Sequence, residues 1–455
     1  MNYMLYNNLN YKYICFFNFK VNNKKMKKKE IYKFIGYTII LFLAKISLDY
    51  IYDKIVSTIG GYQKFQNFYS FSTSIFTWIV FFISLPIYYK YYKNCKSFLS
   101  YEIIFILYLT SFLPCLSMMK YNAITLFTFI LYIFYWSSLL FFNELFCLST
   151  SNVKLFKKNF YLNNKNLIII FILFFLGIIY ISYVYTGFRI NFDIYKVYEL
   201  RADSKSYSMP KLLRYLFTWS KVVISILASY FLINKRYFFV FLCIICQILS
   251  FGIDGAKVTI FLLGIILILS IIPKNNFTKL NKFLSLCFLF ILLISILLHK
   301  IFDSIFIPNV FIRRMLFTPI LLADNYVDFF TTHVPDFFRQ GFLRRFGLQS
   351  PYPNIAYMIG DIYYNRPEMS ANSGLLADAV TNFGISGIIF MPLILTFCFY
   401  ILDKLSKKID NRLCLVIAFY ISMILLNSAL MTSLLTHGLF LIYIFLYCLR
   451  KNEVK

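Results

Sequence analysis

Acidic residues and histidines are scarce in this sequence. Its 455 residues include 19 Asp and Glu against 46 Lys and Arg, and three histidines, His299, His333 and His437, that lie far apart along the chain. A bound metal ion usually needs three or four His, Cys, Asp or Glu ligands close together. The sequence therefore predicts no metal site.

Several nucleotide and cofactor motifs are also missing. The chain has no G-x-x-x-x-G-K-[ST] phosphate loop, no G-x-G-x-x-G dinucleotide fingerprint and no H-E-x-x-H zinc motif. Nucleotide hydrolysis, dinucleotide redox chemistry and zinc-dependent proteolysis therefore lack their usual signatures, and no cofactor is expected. The ten cysteines give no disulfide pattern. Cys243 and Cys246 lie inside one apolar run, which favours a packing role over redox or metal chemistry.

Apolar residues, in contrast, dominate the chain. Hydrophobic residues make up 60% of it and charged residues 14%, with a mean hydropathy of +0.69. This composition predicts an all-α polytopic membrane protein. Apolar runs long enough to cross a bilayer predict about twelve transmembrane helices, at roughly 33–52, 70–89, 101–119, 121–148, 167–186, 213–233, 237–251, 257–272, 283–302, 384–402, 413–434 and 436–449.

The net charge of +27 comes mainly from lysines in the short connectors between these runs. Basic residues concentrate on the cytoplasmic side of membrane proteins, so lysine-rich alternate connectors and both termini are predicted to be cytoplasmic. Because topology explains the charge, nucleic acid is not an expected partner. The predicted organisation is a basic cytoplasmic tail (1–32), nine helices (33–302) with an outer loop at 187–211, a long outer loop (303–383), and three helices followed by a cytoplasmic C-terminus (384–455).

Arginine has a different distribution from lysine. Eight of the twelve arginines fall in the two outer loops and a ninth, Arg214, lies close by, on the face where topology does not favour positive charge. A guanidinium group can bind a phosphate through two parallel hydrogen bonds, so these loops are predicted to bind a phosphate-bearing ligand. Pairing with local acids or lipid headgroups is the alternative. The candidate cations are Arg201, Lys257, Arg313, Arg314, Arg345 and Arg366. Lys257 lies in the turn GIDGAK, where an ion pair with Asp254 is the competing interpretation.

The long loop combines helical and turn-like patterns. Apolar spacing from Val310 to Phe330 predicts a helix along the membrane surface, and most loop aromatics are interpreted as interfacial anchors. The stretch GDIYYNRPEMSANSGLLADAVTNFGISG (360–387) mixes acids, amides and glycines, which favours a functional site over an ordinary loop. Its candidate residues are Glu368, Asn372, Asp378 and Asn382, and His333 lies earlier in the same loop.

The runs RRMLFTPILLADNYVDFF and GDIYYNRPEMSANSGLLADAVTNFGISG together resemble the long periplasmic loop of O-antigen and capsule repeat-unit polymerases of the Wzy type. The turn FGIDGAK is similar to a turn in that family, although Lys257 stands where arginine is more usual. The resemblance implies a C-type, metal-independent glycosyltransferase in the bacterial inner membrane. Its substrate would be an undecaprenyl-diphosphate-linked oligosaccharide, with membrane lipid and a chain-length regulator protein as further candidate partners.

The candidate residues then receive roles. Glu368 or Asp378 would orient or deprotonate the acceptor hydroxyl, and Arg313 and Arg314 would act on the departing diphosphate. The remaining candidates, Arg201, Lys257, His333, Arg345, Arg366, Asn372 and Asn382, would bind substrate. A lipid-linked oligosaccharide flippase and an O-antigen ligase are the alternative functions.

Overall fold

The computed structural model of this chain describes residues 28–59, 61, 63–94, 99–149, 164–189, 200, 203–204, 206–255, 263–264, 266–268, 270, 277–341, 343–407 and 409–449. Every regular element within these ranges is a helix, and the ranges contain no β-strand. The predicted all-α fold class is therefore confirmed for the described part of the chain.

Long helices form because apolar residues follow one another with few helix-breaking residues between them. Hydrogen bonds within each helix also satisfy the backbone groups that lipid could not. In chain order the helices are α1 (Lys28–Ile51), α2 (Phe71–Asn94), α3 (Leu99–Leu107), α4 (Leu113–Lys120), α5 (Leu126–Ser149), α6 (Asn164–Thr186), α7 (Lys211–Ile233), α8 (Tyr237–Asp254), α9 (Phe277–Phe302), α10 (Thr318–Thr332), α11 (Ile355–Tyr364), α12 (Leu376–Phe383), α13 (Gly387–Ser406), α14 (Asn411–Asn427), α15 (Leu430–Leu435) and α16 (Leu439–Leu449).

Nine helical stretches within the described ranges are long and apolar enough to cross a membrane. They are α1, α2, α3 with α4, α5 to α9, and α12 with α13. Large apolar side chains such as Phe82, Ile83 and Leu173 are more than half exposed, as expected of residues that face lipid. The chain is thus a multi-pass membrane protein. Helices α14 and α16 are apolar but shorter, and the predicted helix at 257–272 lies mostly outside the described residues.

Two helix boundaries differ from the predicted ones. The helix predicted at 384–402 begins earlier, because α12, a 3₁₀ turn (Gly384–Ser386) and α13 form one apolar stretch. The helix predicted at 413–434 is interrupted at Ser428, whose backbone is extended with φ −150° and ψ 145°. The side chain of Asn427 donates a hydrogen bond to the carbonyl of Met423 over 2.9 Å. Such local side-chain bonds compete with helical bonding, and helix α15 starts only two residues after the break.

The bundle is organised around a central helix. Helices α3 and α4 are joined by a π-helical turn (Tyr108–Phe112), and every residue from 99 to 119 is buried. Helix α14 packs along α3, α13 packs along α5, and α9 packs along α1. The surrounding helices therefore shield the central one from lipid.

Helices α6, α7 and α8 pack against one another around a second core. Phe171, Cys243 and Cys246 are buried in this core, and both cysteines are free thiols. The predicted packing role of the C-x-x-C pair is therefore confirmed. Helix α7 also contacts α14 and α16, so it joins this second core to the rest of the bundle.

Candidate functional site

The connecting segment (residues 303–386) links α9 to α13. It is largely folded, with a π-helical stretch (Pro308–Phe317) followed by α10, α11 and α12. The helix predicted from Val310 to Phe330 is present, but its apolar side is packed against protein. Tyr326 and Phe330 are 6% and 3% exposed. The interpretation of these aromatics as interfacial anchors is therefore wrong for this pair, which belongs to the protein core.

Asp378 and Asn382 form a buried clasp between three parts of the chain. One carboxylate oxygen of Asp378 accepts a hydrogen bond from Asn382 Nδ2 at 2.8 Å, and the other accepts one from the backbone N–H of Leu430 at 2.7 Å. The side-chain carbonyl of Asn382 accepts a bond from the backbone N–H of Phe338 at 2.8 Å. The clasp thus ties α12 to the preceding stretch of the connecting segment and to the start of α15.

Glycines allow this part of the segment to approach the bundle closely. A Cβ atom at Gly374 would lie 2.0 Å from the carbonyl oxygen of Leu425 and 2.6 Å from that of Ser428. A Cβ atom at Gly360 would lie 2.2 Å from the carbonyl oxygen of Met369. Larger residues at these positions would collide with backbone atoms. Gly360 and Gly374, two of the four glycines in the stretch 360–387, are therefore required by packing, whatever else the stretch does.

Two acids of α10 fix the connecting segment to its neighbours. Asp324 Oδ1 accepts hydrogen bonds from the hydroxyl and backbone N–H of Thr125, at 2.8 and 3.1 Å. Asp328 Oδ2 accepts a hydrogen bond from the Tyr363 hydroxyl at 2.6 Å. Burial and the neighbouring Asp328 carboxylate raise the pKa of Tyr363, so its hydroxyl stays protonated and remains the donor. These contacts give both acids structural roles.

The candidate cations are placed differently from one another. Arg313 is buried, and its Nε donates a hydrogen bond to Asn309 Oδ1 at 2.8 Å, whereas the adjacent Arg314 is exposed. Arg366 is also exposed, in the turn after α11. Arg345 belongs to a 3₁₀ turn (Leu343–Phe346) of the connecting segment. Two further candidates, Arg201 and Lys257, lie outside the described residues, and Asp254, the predicted partner of Lys257, forms an ion pair with Lys221.

The other candidates of the segment lie at its surface. Glu368 is exposed, and no cation lies within ion-pair distance of it among the described side chains. Asn372 is exposed and accepts a hydrogen bond from the Ser370 hydroxyl at 3.1 Å. The ring of His333 stacks on Phe329, with centroids 3.9 Å apart. Glu368, Asn372 and His333 are therefore accessible to a ligand, while Asp378 and Asn382 are enclosed.

A first group of charged residues inside the helices is largely closed to solvent, although the side chain of Lys120 is 15% exposed. Lys45 forms an ion pair with Asp49, and Lys120 reaches the other carboxylate oxygen of Asp49 at 2.9 Å. Lys45 also lies 3.4 Å from the hydroxyl of Ser117. The side chains of Lys45 and Asp49 are 0% and 5% exposed. We call these residues the enclosed cluster (Lys45, Asp49 and Lys120), and its burial indicates a structural role.

A second group lies where α7, α8 and the α14–α16 hairpin meet. Lys221 forms an ion pair with Asp254, and the Ser428 hydroxyl lies 3.0 Å from Nε2 of His437. Burial of the ring lowers the pKa of His437, and the nearby positive charge of Lys221 lowers it further. We call these residues the hairpin cluster (Lys221, Asp254, Ser428 and His437). Its side chains are partly exposed, at 20% for Lys221 and 22% for Asp254.

Sequence reasoning missed the hairpin cluster because its members are far apart along the chain. The available signal was Lys221, a charged residue within an apolar helix, which is a reason to look for function. His437 has no other histidine near it in the sequence, so it gave no signal of a site.

Within the described residues, no three His, Cys, Asp or Glu side chains come together to hold a metal ion. No family model, curated protein or solved structure matches this chain.

Proposed function

We propose that this chain polymerises lipid-linked oligosaccharide repeat units at the outer face of the bacterial inner membrane, as its resemblance to the Wzy-type polymerases implies. In this proposal the chain has twelve spans, its termini are cytoplasmic and the connecting segment lies outside. Alternation of lysine-rich and lysine-poor connectors supports that orientation. O-antigen or capsule polysaccharide would be the product.

The observation that carries the proposal is the form of the connecting segment. It is a folded unit clasped to a membrane bundle through Asp378, and it leaves Arg314, Arg366 and Glu368 exposed. A substrate with a lipid tail, a diphosphate and a sugar chain needs a membrane scaffold beside exposed cations and polar groups. Such a segment meets those needs, since guanidinium groups suit diphosphate and amides suit sugar hydroxyls.

The residue roles follow from this placement. Exposed Arg314 and Arg366, with Arg201, Arg345 and Lys257 as further candidates, would neutralise the diphosphate as it leaves. Asn372 and His333 would contact the sugars. Of the two carboxylates predicted to serve as a base, Asp378 already accepts hydrogen bonds on both oxygens, whereas Glu368 is exposed. Arg313 and Asn382 are buried, so they would hold the exposed site residues in place rather than contact the substrate.

A flippase is the second candidate, and the charged residues within the helices argue against it. A cavity that carries a diphosphate headgroup across the membrane needs cations available to the cargo. Lys45 and Lys120 both bind Asp49, and Lys221 binds Asp254. Each of these lysines is therefore already engaged by a carboxylate. An O-antigen ligase has the same general scaffold, so an experiment is needed to distinguish that function from a polymerase.

Deletion of the chromosomal gene, followed by gel analysis of the surface polysaccharide, tests the proposal. We expect the ladder of long chains to disappear while a single repeat unit remains on the lipid A core, because one unit can still be ligated without polymerisation. Restoration of the ladder by the wild-type gene is the control. Loss of every repeat unit would instead indicate a ligase or a flippase, and an unchanged ladder would contradict all three functions.

A further inference from the structure

The break between α14 and α15 places a serine beside a histidine. Ser428 leaves the helix with an extended backbone, and its hydroxyl lies 3.0 Å from Nε2 of His437. The backbone of His437 is held as well, since its N–H donates to the Thr432 carbonyl at 3.1 Å and its carbonyl accepts from the Tyr420 hydroxyl at 3.2 Å. The position of the imidazole is therefore strongly restrained.

The second ring nitrogen of His437 remains available. Within the described part of the chain, Nδ1 makes no hydrogen bond, and the residue is partly exposed. If the Ser428 oxygen accepts the Nε2 proton, Nδ1 presents a lone pair to its surroundings. Burial and the positive charge of Lys221 lower the pKa of His437 from its usual value near 6.5, so the ring is neutral at neutral pH. A neutral, oriented imidazole can accept a proton.

The pair also lies against the stretch that carries the family resemblance. Gly374 packs directly on the backbone carbonyl of Ser428, and Asp378 binds the backbone N–H of Leu430 two residues further on. The turn before α16 is docked on α7 from the other side, where Trp219 Nε1 donates to the Leu435 carbonyl at 2.9 Å. His437 thus lies between the connecting segment and α7.

The polar groups around His437 are partly exposed rather than enclosed. Lys221 and Asp254 are about one-fifth exposed although they belong to apolar helices. Charged side chains in a membrane bundle are exposed to water-filled cavities far more readily than to lipid, because lipid offers no solvation. The titratable groups that face His437 are Lys221 from α7 and Tyr420 from α14, with Asp254 behind Lys221.

We propose that His437, positioned by Ser428, accepts the proton of the acceptor sugar hydroxyl at this partly exposed position. This inference rests on the proposed polymerase function. In the step, the acceptor oxygen forms a bond to the anomeric carbon of the donor glycan while the bond from that carbon to the diphosphate oxygen breaks. The electron pair of the broken bond leaves with the diphosphate. The acceptor proton moves to Nδ1 of His437 and is then released to water.

The two carboxylates of the connecting segment, Asp378 and Glu368, are less suited to accept this proton. Asp378 has both oxygens engaged in the clasp. Glu368 lies in an exposed turn with no partner among the described side chains to orient it. A neutral imidazole is in general a better proton acceptor near neutral pH than a solvated carboxylate. His437 combines basicity with a restrained orientation, and Glu368 is left to contact sugar hydroxyls.

The test compares purified wild-type protein with His437→Gln in an assay that extends synthetic lipid-linked repeat units. We expect His437→Gln to reduce the rate by about a hundredfold to ten-thousandfold, the usual effect of losing a positioned base. Glu368→Gln should retain at least a tenth of the wild-type rate. His299→Gln is the matched control, because His299 lies at the end of α9 beside Asp303 and outside the proposed site. It should extend the substrate like the wild type.

Two readouts separate chemistry from folding. The wild-type rate should fall at low pH as His437 becomes protonated, and this acid limb should disappear in His437→Gln. Ser428→Ala should lose about tenfold in rate, and Ser428→Thr should restore it, since threonine keeps the hydroxyl and favours extended backbone. A His437→Gln protein of normal thermal stability that extends substrate at the wild-type rate would overturn the inference alone. A wild-type protein that extends nothing would overturn the proposed function and the inference with it.

Discussion

The enclosed cluster and the hairpin cluster are both built from lysine and aspartate within apolar helices, yet they differ in access to water. Lys45 and Asp49 are almost fully buried, and a second lysine satisfies the remaining carboxylate oxygen. Lys221 and Asp254 are about one-fifth exposed and lie near a histidine that retains a free nitrogen. The same residue types are therefore enclosed in one place, and in the other they lie partly exposed beside a histidine that can take part in chemistry.

The largest effect should come from removing the shared acid of the enclosed cluster. Asp49→Asn leaves the fully buried Lys45 without a counter-ion, and breaking a buried ion pair costs about 3–5 kcal/mol. The free energy of unfolding in detergent, measured by thermal or denaturant titration, checks this value. Lys45→Met should cost much less, because Asp49 keeps Lys120 at 2.9 Å. Equal losses for the two variants would contradict the proposed sharing of one carboxylate.

An intermediate effect is expected at the clasp. In Asp378→Asn one of the two oxygens becomes an NH₂ group, which must face either the Leu430 N–H or the Asn382 amide donor. A buried donor that loses its acceptor costs about 1–3 kcal/mol of unfolding free energy, and melting in detergent measures it. Asp361→Asn is the control, since Asp361 is exposed on α11, and it should change stability by no more than about 0.5 kcal/mol. An unaltered melting temperature for Asp378→Asn would argue against the clasp.

The smallest change in stability should follow Lys221→Met, because its ion pair is partly solvated and is worth about 1 kcal/mol at most. Its effect should appear in the pH profile instead. The charge of Lys221 lowers the pKa of His437, so its removal raises that pKa. The acid limb of the rate profile should then move to higher pH. Lys54→Met, which removes an exposed lysine paired with Asp53, should leave the profile in place. A shift toward lower pH for Lys221→Met would contradict this electrostatic assignment.

The membrane class could be predicted from the sequence because each span depends on local composition. A run of about 20 apolar residues crosses a bilayer wherever it occurs, and nine such stretches are present within the described ranges. Helix ends were less predictable. The break at Ser428 lies in a run that local hydropathy alone continues through, and the partner of Leu430 is Asp378, 52 residues earlier.

The candidate site was likewise predictable only in part. Exposed positions for Glu368 and Asn372 agree with their polar surroundings in the sequence. Arg313 and Arg314 share the same apolar surroundings, yet only Arg314 is exposed. The burial of Asp378 could not be predicted from the neighbouring residues in the sequence. It depends on the packing of Phe338 and Leu430, which are distant in the chain, against α12. An acid in a turn-rich stretch has the same local sequence features whether its side chain faces a ligand or makes a buried hydrogen bond within the protein.

By itself, the sequence determined that this chain is a helical, multi-pass membrane protein and that its polar residues concentrate in the segment between α9 and α13. Those properties follow from hydrophobicity and charge summed over short windows, so no distant contact is needed to establish them. Only the tertiary structure decided that Asp378 is a clasp and that His437 meets Ser428 beside Lys221. The physical reason is that hydrogen-bond partners and solvent access are set by which helices pack together, and packing joins residues that the chain order separates.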